Sequence, residues 1–360
     1  VATQLTATAN IGLGVNAVNS ITTGDYNVGL GDEALTAVTT GSQNIGLGGY
    51  ALGATTTGGT NTAVGYSSME TNTTGSSNVA VGYLSLRVNT TGATNTAIGY
   101  EAMKANTTGG YNVGIGKDAL MANTTASGNV AVGVDALTAN TTGASNTGVG
   151  TASLKFNTTG HSNEAMGYEA LTRNTTGYYN TAVGHSALKA VTTGNRNIGL
   201  GASAGQNITT GLYNTAIGEW SLGSCVTGTY NVAIGTNCMA ANTGSYNTAV
   251  GGAALDTNTS ADDNTAIGYS AMTANTSGGA NVAVGALALQ TNTTAANNTA
   301  LGYAALKLNT TGANNTGIGR TAMHANTTGA DNTAVGYLSL YANTTGTRNT
   351  AVGTFAGDAL

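Results

Sequence analysis

NTAVGYSSMETNTTGSS, residues 61–77, is followed at once by NVAVGYLSLRVNTTGAT, residues 78–94, and then by NTAIGYEAMKANTTGGY, residues 95–111. With the leading Asn counted as position 0, the pattern Asn-x-Ala/Gly-aliphatic-Gly begins at Asn10 and recurs every 17 residues to Asn231. It steps once by 16 to Asn247 and resumes at 17 to Asn349, making 21 copies. A fixed short period means a repeat architecture, in which each unit packs on its neighbours alone. The reading is one continuous body over residues 10–360, its last copy incomplete, preceded by a partial coil at residues 1–9. Any chemistry has to be sought in columns of side chains rather than in single residues.

Composition narrows the classes. The 360 residues include 55 Gly and no Pro; charged residues are 7% of the chain and the net charge is -5. Nucleic-acid binding needs a basic face, which is missing here, and anionic membrane surfaces are equally poor partners. No apolar run approaches the 18 or so residues needed for a membrane-spanning helix. The chain opens on Val1 without a basic, apolar leader, as expected of a processed or excised segment. Polar, Gly-rich composition alone would suggest disorder, but the strict recurrence of aliphatic positions specifies a packed core.

Position 3 is always Val, Ile, Leu or Met, and position 8 is Leu, Met or Val except at Gly205 and Gly357. These are the expected core columns, Val64 and Met69 in the quoted copy. Position 2 is only Ala or Gly, and position 7 is Ala, Ser or, once, Cys. Neighbouring residues on a strand point to opposite faces, so with positions 3 and 8 inside, positions 2 and 7 would form a smooth outer surface. Crowding at turns is one reason for their small size. Contact with another subunit is the other, which makes Ala63, Ala80, Ala97, Ser68, Ser85 and Ala102 candidate interface residues. Position 4 is Gly throughout and position 14 is Gly or Ala, giving two corners per copy. Strands are expected at positions 1–3 and 7–10, with an extended piece at 12–13. The fold class is therefore all-β: a flattened parallel β-solenoid, or β-roll, with one 17-residue coil per repeat. At a strand spacing of ~4.8 Å, 21 such coils would make a rod ~100 Å long.

The two Asn columns differ. Position 0, as at Asn61, Asn78 and Asn95, has no substitute in any copy, which points to a turn backbone plus a side-chain amide bonding to the coil beside it. Position 11 is Asn in 14 copies, including Asn72, Asn89 and Asn106, and is replaced by Ile21, Val38, Thr55, Val191, Ile208, Cys225 and Leu360. A column that exchanges Asn for Val and Ile must look inward. Its replacements fall mostly in runs of three coils, as expected if a buried amide ladder breaks only where its neighbours are apolar too. Inward-facing Asn also makes the many Asn-Thr-Thr sequons poor glycosylation acceptors.

No reaction centre emerges. Position 9 gathers Glu70, Arg87, Lys104, Lys155, Lys189, Lys307, His324 and Asp358 and reads as a solvated column. His161, His185 and His324 occupy three different positions of distant coils and cannot converge on a metal. Asp262 and Asp263 share a corner but lack the Gly-Asp repeats of calcium-binding solenoids. Gly-x-Gly fragments are repeat corners, with no helix after them to hold a nucleotide phosphate. No metal or cofactor is expected, and the chain reads as a non-enzyme. Cys225 and Cys238 sit in different columns and read as two small buried side chains or, failing that, a disulfide. The single 16-residue coil and Trp220 mark a local irregularity over residues 219–246. Tyrosines recur at position 5 (Tyr66, Tyr83, Tyr100) and position 16 (Tyr213, Tyr230, Tyr246). Stacked coil on coil they would form aromatic strips, covering corner glycines or contacting a subunit, a ligand or carbohydrate.

The repeat NTAVGYxALxANTTGxx resembles the β-roll repeats of YadA-type trimeric autotransporter adhesin heads and, more closely, the NTAxGYxAL…NTTG runs of phage tail fibres and related bacterial surface fibres. The resemblance spans nearly the whole chain and rests on 21 copies in register. It implies left-handed rolls assembled as homotrimers, located extracellularly, on a cell surface or on a virion, and attaching to a cell-surface or carbohydrate receptor. No heptad stalk, membrane anchor or C-terminal chaperone-protease segment accompanies the repeats, and the circuit is longer than the usual head repeat, so no receptor-binding residue carries over. Solenoid ends without polar caps would favour end-to-end filaments. The alternative function is an ice-binding solenoid, using the Thr columns at positions 12 and 13 and the Asn ladders.

Overall fold

The computed structural model describes residues 8–358, so Leu360 and most of the partial coil at 1–9 lie outside the described residues. The chain divides into two compact units, residues 1–179 and 180–360, each built from the same coil.

Every coil contributes one three-residue strand at positions 1–3. The first unit holds β1 (Ile11–Leu13) through β10 (Glu164–Met166). The second holds β11 (Thr181–Val183) through β21 (Thr350–Val352). Within each unit the strands of successive coils pair in parallel without slippage, so that Thr62, Ala63 and Val64 lie against Val79, Ala80 and Val81. The all-β parallel solenoid expected from the period is the observed fold, and no helix occurs among the described residues. Each coil binds both neighbours along the backbone. Thr62 N–H donates forward to Asn78 O at 2.9 Å, and Gly65 N–H donates back to Leu47 O at 2.8 Å.

Positions 5–10 are not strand but a turn of alternating hand. Ser67 and Met69 have φ of 52° and 49°, and Met69 N–H donates forward to Ser85 O at 3.0 Å while Ser67 N–H donates back to Gly49 O at 2.9 Å. The same two positions are left-handed in nearly every coil, mostly as Leu, Met, Ser, Ala or Glu, residues for which that region is unfavourable in isolation. The inter-coil hydrogen bonds on both sides hold it. Positions 12–13, also expected to be extended, are bends.

This backbone corrects the expected core. In β4 (Thr62–Val64) it is Ala63 that is fully buried and Val64 that is half-exposed. Positions 7 and 8 are both buried, Ser68 beside Met69, because alternation across a pleat does not apply to a left-handed turn. The coil interior is a thin slot in which the position-2 column faces position-8 side chains. A Cβ on Gly114, at position 2, would stand 2.9 Å from Met103 Cγ, and one on Gly46 would stand 3.3 Å from Leu35 Cγ. Only Ala or Gly fits opposite Leu or Met. Ala63, Ala80, Ala97, Ser68, Ser85 and Ala102 are all completely buried within one chain and cannot be subunit-contact residues. Where Ser replaces Ala at position 7 its hydroxyl is satisfied internally: Ser68 donates to Ala80 O at 3.1 Å and Ser85 to Ala97 O at 2.9 Å. The invariant corner glycine is also explained. Gly65 has φ 134°, and a Cβ there would run into Gly82 O.

The 16-residue coil loses its residue at the Thr-Thr corner. Asn242 bonds Gly244 O, two residues on, where other coils bond a carbonyl three residues on, and β15 (Thr248–Val250) still pairs in register with β14 (Val232–Ile234). The deletion is absorbed in one bend.

Candidate functional site

Two amide ladders fill the polar part of the interior. At position 0, Asn61 Nδ2 donates to Asn44 Oδ1 at 3.1 Å and to Gly75 O at 2.9 Å, and the Asn61 backbone N–H shares the same Oδ1 at 3.1 Å. Asn78 and Asn95 repeat the node. At position 11, Asn89 Nδ2 donates to Asn72 Oδ1 at 2.8 Å and to Gly92 O at 2.9 Å, with Asn106 continuing the run. All six are fully buried. With both hydrogens of the Asn89 and Asn106 amides donated inside the coil, these sequons hold no free acceptor nitrogen.

The apolar breaks in the second ladder are packed. Val38, Val191, Ile208 and Cys225 are buried, and Thr55 ends one break by accepting from Asn72 Nδ2 at 3.3 Å. Ile208 has a further role. Gly205 leaves position 8 empty in its coil, and a Cβ there would lie 2.7 Å from Leu188 Cδ2 and 3.0 Å from Ile208 Cδ1, so Ile208 and Leu188 share the space that Leu or Met takes elsewhere. Both departures are visible in the sequence; that they compensate each other is visible only in space.

Cys225 and Cys238 are free and buried. Burial pushes the Cys225 thiol up to about 11 and the Cys238 thiol up to about 12, and Cys238 Sγ donates to Ala249 O at 3.3 Å. These are packing thiols without thiolate character at neutral pH. The histidines stay apart, and among the described residues no group of three His, Cys, Asp or Glu side chains could hold a metal ion. His161 stacks on Tyr178, and His324 on Tyr341. Burial lowers the His324 pKa, with Lys307 adding to the shift. Asp262 Oδ1 is engaged by Ser245 N–H at 2.7 Å. Charges of position 9 pair across coils, as Glu70 does with Arg87 at 2.8 Å, or within one, as Lys104 does with Glu101 at 2.9 Å.

The Thr columns serve the coil. Thr73 Oγ1 donates to Thr90 O at 3.0 Å, and Thr90 Oγ1 to Thr107 O at 3.1 Å. The position-12 hydroxyls are spent on the next coil's carbonyls, leaving position 13 as the exposed Thr rank at this corner.

Two outward features remain. The first is the outer face of the strands, where positions 1 and 3 lie side by side. Position 1 is Thr, Val or Ile in all but one copy and position 3 is always aliphatic or Met; members such as Ile45, Ile98, Val183 and Leu301 are exposed by 38 to 44%. Ten or eleven coils at ~4.8 Å, with two ranks about 7 Å apart, give each unit a stripe of roughly 350 Å², aliphatic along position 3 and mixed with Thr along position 1. That lies within the range of the largest patch on a typical monomer, a size that is often functional. Its one charged member is Glu164, in β10.

The second feature is the tyrosine strips, which are stacked as expected. Tyr66 and Tyr83 lie 5.9 Å apart and Tyr83 and Tyr100 5.4 Å, near-parallel. Tyr213, Tyr230 and Tyr246 stack at 4.7 and 5.3 Å with interplanar angles of 6°. Arg196 lies over the Tyr213 ring at 5.2 Å and donates to its hydroxyl at 2.6 Å. Since the faces of these rings are covered by one another, they present mainly edges and hydroxyls to solvent.

Compared with known protein families and with curated proteins, the chain matches no family model and no curated protein.

Proposed function

We propose that the chain is a non-enzymatic fibre protein, a stiff solenoid serving as spacer and attachment element outside the cell, on a cell surface or on a virion, and working as an assembly of identical chains. The observation that carries this reading is the aliphatic stripe on the outer face of the strands. The interior of each coil is already filled, so these side chains do not serve the monomer's core, and a column held aliphatic in every copy needs a reason. A second copy of the chain supplies it, since a continuous apolar rank along a unit is the kind of patch that a contact between identical chains covers. The stripe therefore takes over the contact role first expected of Ala63 and Ser68. Three chains is the number that the resemblance to adhesin heads and tail fibres implies. A cell-surface or carbohydrate receptor is its proposed target, with the tyrosine edges and the exposed position-13 threonines as the polar groups available for it.

Sedimentation equilibrium tests the assembly. The expected mass is three times the 35.2 kDa of one chain. Val132→Lys together with Ile115→Lys, both on the stripe, should release monomers with unchanged circular dichroism. A wild-type chain that sediments as a monomer at micromolar concentration overturns the reading.

A further inference from the structure

The phenols of the second unit's strip stand on the surface, stacked on one another outside the coil's interior. Tyr213, Tyr230 and Tyr246 come from three successive coils, near-parallel and at 4.7 and 5.3 Å. They are 38, 48 and 57% exposed, so an oxidant in solution can reach them. All three have positive φ, at 56°, 57° and 59°, so their Cα–Cβ bonds leave the backbone in the same local conformation. Arg196 anchors the first ring through its hydroxyl, and the missing residue of the 16-residue coil is absorbed without moving Tyr246 out of the stack.

We propose that Tyr213, Tyr230 and Tyr246 form an oxidative cross-linking site, where a one-electron oxidant of the peroxidase class converts neighbouring phenols into a dityrosine that staples adjacent coils. In the step, each of two phenols gives up one electron to the oxidant and one proton to water. The two phenoxyl radicals join through the ring carbons ortho to oxygen, and tautomerisation restores both aromatic rings. Two equivalents of oxidant are reduced by one electron each, and the product lacks two hydrogens. Ring proximity favours coupling within the stack over coupling between chains, because the partner radical is already in contact. Tyr111 is the internal control: it occupies the same position 16 and is 72% exposed, but its neighbours in that column are Thr94 and Gly128.

The test uses the full chain at high dilution, oxidised by photogenerated ruthenium(III) tris-bipyridyl with persulfate as terminal electron acceptor. The products are digested and the linked peptides mapped by mass spectrometry. The expected result is a peptide pair joined at Tyr230, two hydrogens light, with a yield independent of protein concentration. Tyr230→Phe should abolish that link while leaving any link among Tyr66, Tyr83 and Tyr100 unchanged. Three outcomes overturn the proposal: no link at Tyr230, persistence of a link between Tyr213 and Tyr246 at full yield in Tyr230→Phe, or a product dominated by concentration-dependent coupling through Tyr111.

Discussion

The two asparagine columns run through the same coil and use the same side chain, yet position 0 admits nothing else while position 11 admits Val, Ile, Thr and Cys. Their bonding accounts for the difference. Asn95 Oδ1 accepts both the backbone N–H and the Nδ2 of Asn112, at 3.0 and 3.2 Å. Its own Nδ2 ties Asn78 Oδ1 to Gly109 O. The Asn106 side chain bonds only Asn89 Oδ1, Gly109 O and, as acceptor, Asn123 Nδ2. The first column satisfies a buried backbone donor of the next coil; the second satisfies mainly itself. A self-contained ladder can be taken out as a block, whereas one that completes the backbone cannot.

The largest effect should follow from cutting the first column. Asn95→Ala orphans the buried Asn112 N–H and half of two amides. At about 1–3 kcal/mol per unsatisfied group, we expect a loss of about 3–4 kcal/mol, read as a lower urea midpoint. Asn106→Val leaves Asn89 Oδ1 and one Asn123 hydrogen unpaired while burying more apolar surface, so about 2 kcal/mol is expected. The comparison is sharpest in the triple variant Asn89→Val, Asn106→Val, Asn123→Val. Only the ends of an apolar run meet unpaired amides, so the triple should be nearly as stable as Asn106→Val alone. Additive losses in the triple would break the account of why Val191, Ile208 and Cys225 occur together.

The Gly205 and Ile208 pair tests the same column where it doubles as core. Gly205→Leu adds a side chain into space already held by Leu188 and Ile208, and overpacking of this kind costs about 1–3 kcal/mol. Adding Ile208→Val should restore part of it, because the pair then matches Leu35 with Val38 and Leu188 with Val191, and it leaves no amide stranded between Val191 and Cys225. A double variant no better than the single would show that the slot is not shared.

These columns also show what could be read before the fold was in view. Asn61 and Asn72 were legible as ladders of two kinds because the chain carries its own substitution record. Ala63 and Val64 are legible as opposite-facing, but not as to which faces in: invariance to Ala or Gly fits turn crowding or an outer contact surface as well as what it records, a slot too narrow for more. Ser68 and Met69 were separated by an alternation that holds only for extended backbone. The left-handed turn that buries both is not marked by glycine, since Met69 and its Leu counterparts occupy the left-handed positions under inter-coil hydrogen bonding. Tyr213, Tyr230 and Tyr246 could be placed in one strip from spacing alone.

The smallest effect concerns the one titratable member of the second column, and it is absent at neutral pH. Burial raises the Cys225 thiol from 9.0 to about 11, so the folded chain resists ionisation that the unfolded chain undergoes near 9. Stability from this group is therefore whole below pH 9 and is lost as pH rises from there through about 11. Cys225→Val should match the wild type at pH 7, since Val38 and Val191 already stand in this column, and should lose less stability than the wild type between pH 9 and 11. Cys238, raised to about 12 by the same burial, keeps its own alkaline loss in that variant, and Cys238→Ala should remove it, Ala being the common residue of position 7. Urea midpoints against pH for the two variants and their combination separate the contributions. An alkaline slope unchanged by both substitutions would mean that these thiols reach solvent in the folded chain, and the apolar block in the second ladder would then be looser than its packing implies.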